Sequence, residues 1–194
     1  VYDVDITVPK RFIVGATGVL TRAQEQGDQK TESYHAEDVI DFAWTASPHF
    51  KTASRRAGNV DIVLLYQPEN QKYAARYLKA TEQSLAAYGQ WYGPYAYPRI
   101  TVVDPPSQAT GAGGMEYPML ITAGIGAMGL PEFPGVTVRE AELVVMHEMG
   151  HQWFYAVIAT NEAEEPWLDE GFADWATVEA LERYHHFYGD SLKV

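Results

Sequence analysis

His147-Glu148-Met149-Gly150-His151 sets two imidazoles and a carboxylate within five residues. On a helix, a spacing of four residues puts both imidazoles on one face, where two neutral rings can grip one Zn²⁺ at about 2.0–2.1 Å. Glu148 lies off that face, yet its carboxylate can reach a water at the metal and act as general base. Eighteen residues separate His151 from Glu170, in Trp167-Leu-Asp-Glu-Gly-Phe-Ala173. Glu170 stands near the start of the next expected helix, so a turn between antiparallel helices could deliver it as a third ligand. Two His and one Glu leave a coordination position free, which is the pattern of a catalytic rather than a structural zinc site. Asp174, one turn beyond Glu170, is placed to accept the remaining ring N–H of a ligand His.

These residues need helices to hold them. Thr137 and Glu140 form a T-x-x-E capping box, which predicts a helix over 138–158. A last helix is expected over 167–186. Tyr73, Tyr77, Leu78, Thr81, Leu85 and Tyr88 recur at three to four residues and predict an amphipathic helix over 71–91, stopped by Gly93. Before it the chain reads as β-rich. Val4, Ile6 and Val8 alternate with polar residues, Val39–Trp44 and Phe50–Ser54 read as strands, and Gln24–Ser33 as a hairpin loop. Val60–Tyr66 is a strong strand, Arg99–Asp104 a short one, and Met115–Thr122 another after a Gly-rich loop. The fold class is therefore α+β. A boundary is expected at 57/58, dividing a β portion, residues 1–57, from the lobe of residues 58–194.

Composition narrows the function classes. Lys and Arg total 14 against 26 Asp and Glu, a net charge of −12. That excess disfavours nucleic-acid backbones and anionic lipid as partners. Cys is absent, which removes disulfides, thiolate metal sites and Cys nucleophiles. No apolar run is long enough for a transmembrane helix. No G-K-[ST] follows Gly111–Gly114, so these glycines do not form a phosphate loop. The compartment stays open. His35 and His49 read as surface loop residues, His185-His186 as a solvated helix end, and Glu162, Glu164 and Glu165 as a solvated loop at the rim of the cleft. Trp44, Trp91, Trp153 and Trp175 are assigned to the core.

HEMGHQWF, followed at this spacing by WLDEGFA and preceded by GGMEYP, resembles the zinc aminopeptidases of the gluzincin clan, which include the alanyl (N-type) aminopeptidases and leukotriene hydrolase. VPKRFIVGATGVL resembles the last strands of that family's N-terminal β-domain. The resemblance implies a thermolysin-like zinc peptidase lobe preceded by the tail of a β-domain. It implies one Zn²⁺ per chain held by His147, His151 and Glu170, with Glu148 as general base. It further implies that Glu116 receives the free α-amine of a peptide and that Gly113 and Gly114 pair with substrate as an edge strand. The carboxylate suits a protonated amine, and glycine lets another chain come close. Two positions depart from the family pattern: Tyr117 replaces an Asn after Glu116, and Asp169 replaces an Asn before Glu170. The opening VYDVDITVPKRFIV reads as mid-strand, so a longer parent chain is expected to pack on both ends. By the resemblance its missing parts carry a catalytic Tyr and a second amine-binding group, so this piece is expected to be weakly active or inactive alone. An endopeptidase or other zinc hydrolase, and a catalytically incomplete binding module, are the alternatives.

Overall fold

The computed structural model describes residues 1–125 and 139–186. The chain begins with β1 (Tyr2–Pro9), β2 (Ile13–Ala16), β3 (Val19–Gln26), β4 (Gln29–Ala36) and β5 (Trp44–Ser47). β1, β4 and β3 form an antiparallel sheet in that order, and β2 pairs with β5. The polar segment Gln24–Ser33, expected as a loop, is instead mostly strand. Its turn is only Gly27-Asp28, with Gly27 at φ 57°, a value that favours glycine. β3 is exposed along its whole length, so it shows no apolar alternation in sequence. Residues 39–43 are irregular rather than strand, following Asp38 at φ 54°.

β6 (Lys51–Ala57), β7 (Val60–Tyr66), β8 (Arg99–Val103), β9 (Gly114–Met115) and β10 (Leu120–Ala123) build the central sheet in the order β6-β7-β8-β10-β9. β7, β8 and β10 run parallel, and β6 and β9 flank them antiparallel. β6 and β7 join through a tight turn at residues 58–59, across the position of the expected boundary. Ile62, Leu64, Ile100, Val102 and Ile121 pack in one core with helical residues, while Leu65, Val103 and Leu120 pack with Phe50 in another. Both faces of the sheet are covered, which explains the apolar run Ile62–Tyr66 within β7. The expected strand Met115–Thr122 is two short strands around a turn at 116–119, where Pro118 lacks an N–H and Met119 sits at φ 61°.

Helix α1 (Ala74–Tyr92) links β7 to β8, preceded by a 3₁₀ turn over Pro68–Tyr73, and ends at Gly93 with φ 106°. α2 (Glu140–Phe154) and α3 (Glu170–His185) follow. α2 stops four residues short of the expected end, with Tyr155 already non-helical. The capping residue Thr137 lies outside the described residues. α2 is buried on nearly every side, against α1, α3 and the sheet. Tyr88 on α1 donates to the Met146 carbonyl at 3.0 Å, and Trp153 donates to the Gly93 carbonyl at 2.9 Å. Arg76 grips the buried Glu142 with two donors. Trp44 and Trp175, expected in the core, are 53% and 62% exposed. Trp175 falls on the α3 face turned away from α2, whereas Ala173, Ala176 and Ala180 are buried. His35 lies on β4 rather than a loop, with Nδ1 2.7 Å from Asp3. No described helix is long and apolar enough to cross a membrane.

α2 and α3 touch through Gly150. A Cβ there would stand 3.1 Å from the Ala173 Cα and 3.3 Å from its Cβ. Gly150→Ala gains about 1 kcal/mol in helix propensity, against about 1–3 kcal/mol for overpacking against backbone. A net loss of stability in chemical denaturation is therefore predicted, with weaker metal binding because α3 carries Glu170. A more stable variant with wild-type metal affinity would contradict the contact.

Candidate metal centre

α2 presents His147 and His151 one turn apart, with their rings 4.8 Å apart at 82°. Their Nε2 atoms are 3.1 Å from each other. Glu170, the first residue of α3, brings Oε2 to 3.1 Å from His147 Nε2 and 3.6 Å from His151 Nε2. The 3₁₀ turn Pro166–Leu168 and the close approach at Gly150 bring that carboxylate to the helix pair.

The far sides of the rings decide what these three atoms can do. His151 Nδ1 faces the carboxylate of Asp169, which is 2% exposed. His147 Nδ1 lies 3.0 Å from Asp174 Oδ1. With each Nδ1–H donating to its carboxylate, each Nε2 carries a lone pair. Two imidazole lone pairs and a carboxylate oxygen then face one another, an arrangement that favours a cation between them. A tetrahedral metal with bonds of about 2.0–2.1 Å separates its ligand atoms by about 3.3 Å. The three separations found here bracket that value, and the imidazole and carboxylate donor set suits a divalent transition metal.

Glu148 stands on the same helix, 5% exposed. Its Oε1 lies against the backbone of Gly114, where a Cβ would be 2.4 Å away, so any larger residue there would displace it. Its Oε2 is buried and makes no hydrogen bond to the protein. Burial raises the Glu148 carboxyl to about 8; Glu116, Glu170 and Asp169 push it the same way, and His151 opposes them.

Glu116 follows β9 and is half-buried. Burial also raises its carboxyl, with Asp169 and Glu162 adding to the rise and His151 opposing it. Carboxylate oxygens of Glu116, Glu162 and Asp169 lie within 4.8 Å of one another. Tyr155 donates to Asp41 at 3.1 Å beside this group, and both Glu162 and Asp41 contribute to the negative potential at Tyr155. The Gly113 carbonyl accepts the Gly124 N–H at 2.7 Å, while Gly114 and Met115 pair with β10. The other edge of β9 carries no strand among the described residues.

The structure thus gathers His147, Glu148, His151, Glu170 and Asp174, and sets Glu116 and Gly114 beside them. Asp169 is the tether of His151, a part that the sequence assigned to no residue; its position directly before Glu170 was the available signal. Glu162 reaches the site as well, although nothing in the linear sequence separates it from Glu164 and Glu165. His185 and His186 stay at the end of α3, away from the cluster, with His186 closing the helix at φ 52°.

Residues 76–192 match the peptidase family M1 domain. Aminopeptidase N of Acetobacter pasteurianus is 29% identical over 182 residues, covering 90% of this chain and 50% of that protein. Glutamyl aminopeptidase of Homo sapiens is 28% identical over 183 residues, covering 90% of this chain and 19% of that protein. Tricorn protease-interacting factor F2 of Thermoplasma acidophilum is 27% identical over 150 residues, covering 74% and 18% respectively. The chain spans half or less of the length of these relatives.

The Glu148 carboxyl sits at about 8 in the fold against an ordinary 4.5. Between those values the folded chain holds a proton that the unfolded chain releases, so stability falls as pH rises through that window and levels off above it. Thermal melts of chelator-treated protein should show a lower Tm at about pH 8 than at about pH 5. Glu148→Gln, neutral throughout, should remove part of that drop. An identical pH dependence in the variant would contradict the assignment.

Proposed function

Since the chain belongs to peptidase family M1, we propose that it is the zinc-binding part of an aminopeptidase, hydrolysing the first residue from peptides with a free N-terminus. The observation that carries this reading is the convergence of His147, His151 and Glu170 beside the buried, unpartnered Glu148 oxygen. In this reading the strands before β6 are the tail of a β-domain, and β6, which pairs with β7, belongs with the chain that follows it in a thermolysin-like lobe.

His147 and His151, through Nε2, and Glu170, through its carboxylate, would hold the zinc. When bound, zinc supplies a Lewis acid that polarises the peptide carbonyl and lowers the pKa of water. Glu148 takes a proton from the attacking water at its buried carboxylate and returns it to the departing amine. Its burial excludes bulk water, and a cation held beside it would lower its raised proton affinity and favour the carboxylate that accepts the proton. The edge of β9 that carries no strand among the described residues offers backbone groups to an extended substrate, and Gly114 leaves room for Glu148 beside that strand. Glu116 accepts the protonated α-amine as a charge-assisted hydrogen bond and so selects the chain terminus. The added negative charge of Glu162 and Asp169 suits a cationic group at this end.

One zinc per chain is expected by elemental analysis, with loss in His147→Ala and in His151→Ala. In the full-length enzyme, Glu148→Gln should keep the zinc and lose about 10²–10⁴-fold in kcat on an aminoacyl reporter. Near-normal turnover in that variant, or full zinc in both His variants, would contradict the reading. Glu116→Ala should weaken free-amine substrates far more than amino-blocked ones; equal losses would favour an endopeptidase.

A further inference from the structure

Gln152 follows His151 on α2 and is fully buried. Its amide is used completely. Oε1 accepts the Met119 N–H at 2.9 Å and the Tyr95 hydroxyl at 3.3 Å. Nε2 donates to the carbonyls of Glu116 at 3.2 Å and Tyr117 at 3.1 Å. Three of these four partners belong to the turn between β9 and β10. That turn holds Met119 at φ 61°, a conformation side chains disfavour, so it persists only if its surroundings fix it. From the sheet side, Thr101 on β8 donates to the Met119 carbonyl at 2.9 Å. From the helix side, the fixing group is the Gln152 amide. Glu116 is therefore tied by its own carbonyl to the residue adjoining a metal ligand.

We infer that Gln152 is a positioning residue: it sets the Glu116 carboxylate relative to the metal and thereby determines how strongly the site discriminates for a free α-amine. The inference rests on the reading of Glu116 as the amine anchor. Glutamine is the residue this place requires. Glutamate would aim lone pairs at two carbonyls, methionine would fill the space but leave the Met119 N–H and the Glu116 carbonyl unpaired, the Tyr117 carbonyl keeping the Leu120 N–H, and asparagine would fall short by a methylene. The consequence for the ligand follows from geometry. A shift of Glu116 by about 1 Å moves its oxygens out of hydrogen-bond range of an amine held by the metal end, which can cost about 10²-fold. The metal ligands need not move, because the Gln152 side chain makes no hydrogen bond to them.

The test is calorimetric titration of zinc-loaded protein with leucine hydroxamate and with its N-acetyl derivative. The hydroxamate group gives both probes a common metal anchor, and the ratio of their Kd values reads amine discrimination. Glu116→Ala should erase the wild-type ratio; a ratio that survives Glu116→Ala would remove the amine anchor and this inference with it. Gln152→Glu and Gln152→Met should each cut the ratio about tenfold or more. Zinc content and N-acetyl affinity should stay near wild type. Adding Gln152→Glu to Glu116→Ala should produce no further change in the ratio. An unchanged ratio in folded Gln152 variants would overturn the inference. So would an equal loss of both probes, or a failure of both variants to fold, since each marks a purely structural residue.

Discussion

Gly150 lets α3 approach α2 until the Ala173 backbone lies where a side chain would otherwise stand. Everything at the metal end depends on that approach. His147 and His151 come from α2 alone, but Glu170 and both carboxylates that orient the rings, Asp169 and Asp174, come from the start of α3. A residue with a side chain at 150 would hold the two helices apart and separate two parts of the cluster at once. The glycine costs α2 about 1 kcal/mol of helix propensity, and the buried contacts around Val145, Met146 and Met149 offset it.

A helix buried on nearly every side must satisfy most of its polar groups inside the protein. α2 does so with specific partners: Glu142 with Arg76, His151 with Asp169, Gln152 with the β9–β10 turn. Glu148 is the exception, with one oxygen unpartnered. Around it stand Glu116, Asp169 and Glu170, all of which raise its proton affinity, and only His151 opposes them. Such a cluster of like charge is stable when cations share it. Under the proposed reading, a divalent metal at one end and a substrate ammonium at the other would meet that electrostatic demand, and the net charge of −12 would add a favourable background field for both.

Much of this was legible in the chain because helical periodicity is local. The four-residue spacing of the His pair and of Glu170 and Asp174 fixes which side chains share a face, and both helices form there. The strong strand Val60–Tyr66 was legible from a different local signal, a short apolar run following a turn at Gly58-Asn59. Other features depend on contacts between distant segments. The exposed strand β3 has no apolar pattern because it buries nothing. Trp175 looks like core by residue type, yet the α3 face turned to α2 is made of alanines. The turn at 116–119 is marked in the chain by Pro118 alone, and its support, Gln152, is more than thirty residues away. Glu162 reaches Glu116 and Asp169 only through the path of the loop between α2 and α3.

The central claim is that two imidazoles from α2 and one carboxylate from α3 form a single metal site. X-ray absorption at the zinc K-edge on the loaded protein tests it most directly. The account predicts a spectrum fitted by two imidazoles with oxygen donors filling the remaining positions, all at about 2.0–2.1 Å, and loss of one oxygen donor or of the zinc itself in Glu170→Ala. A spectrum requiring three or more imidazoles, or one unaltered by Glu170→Ala, would contradict it.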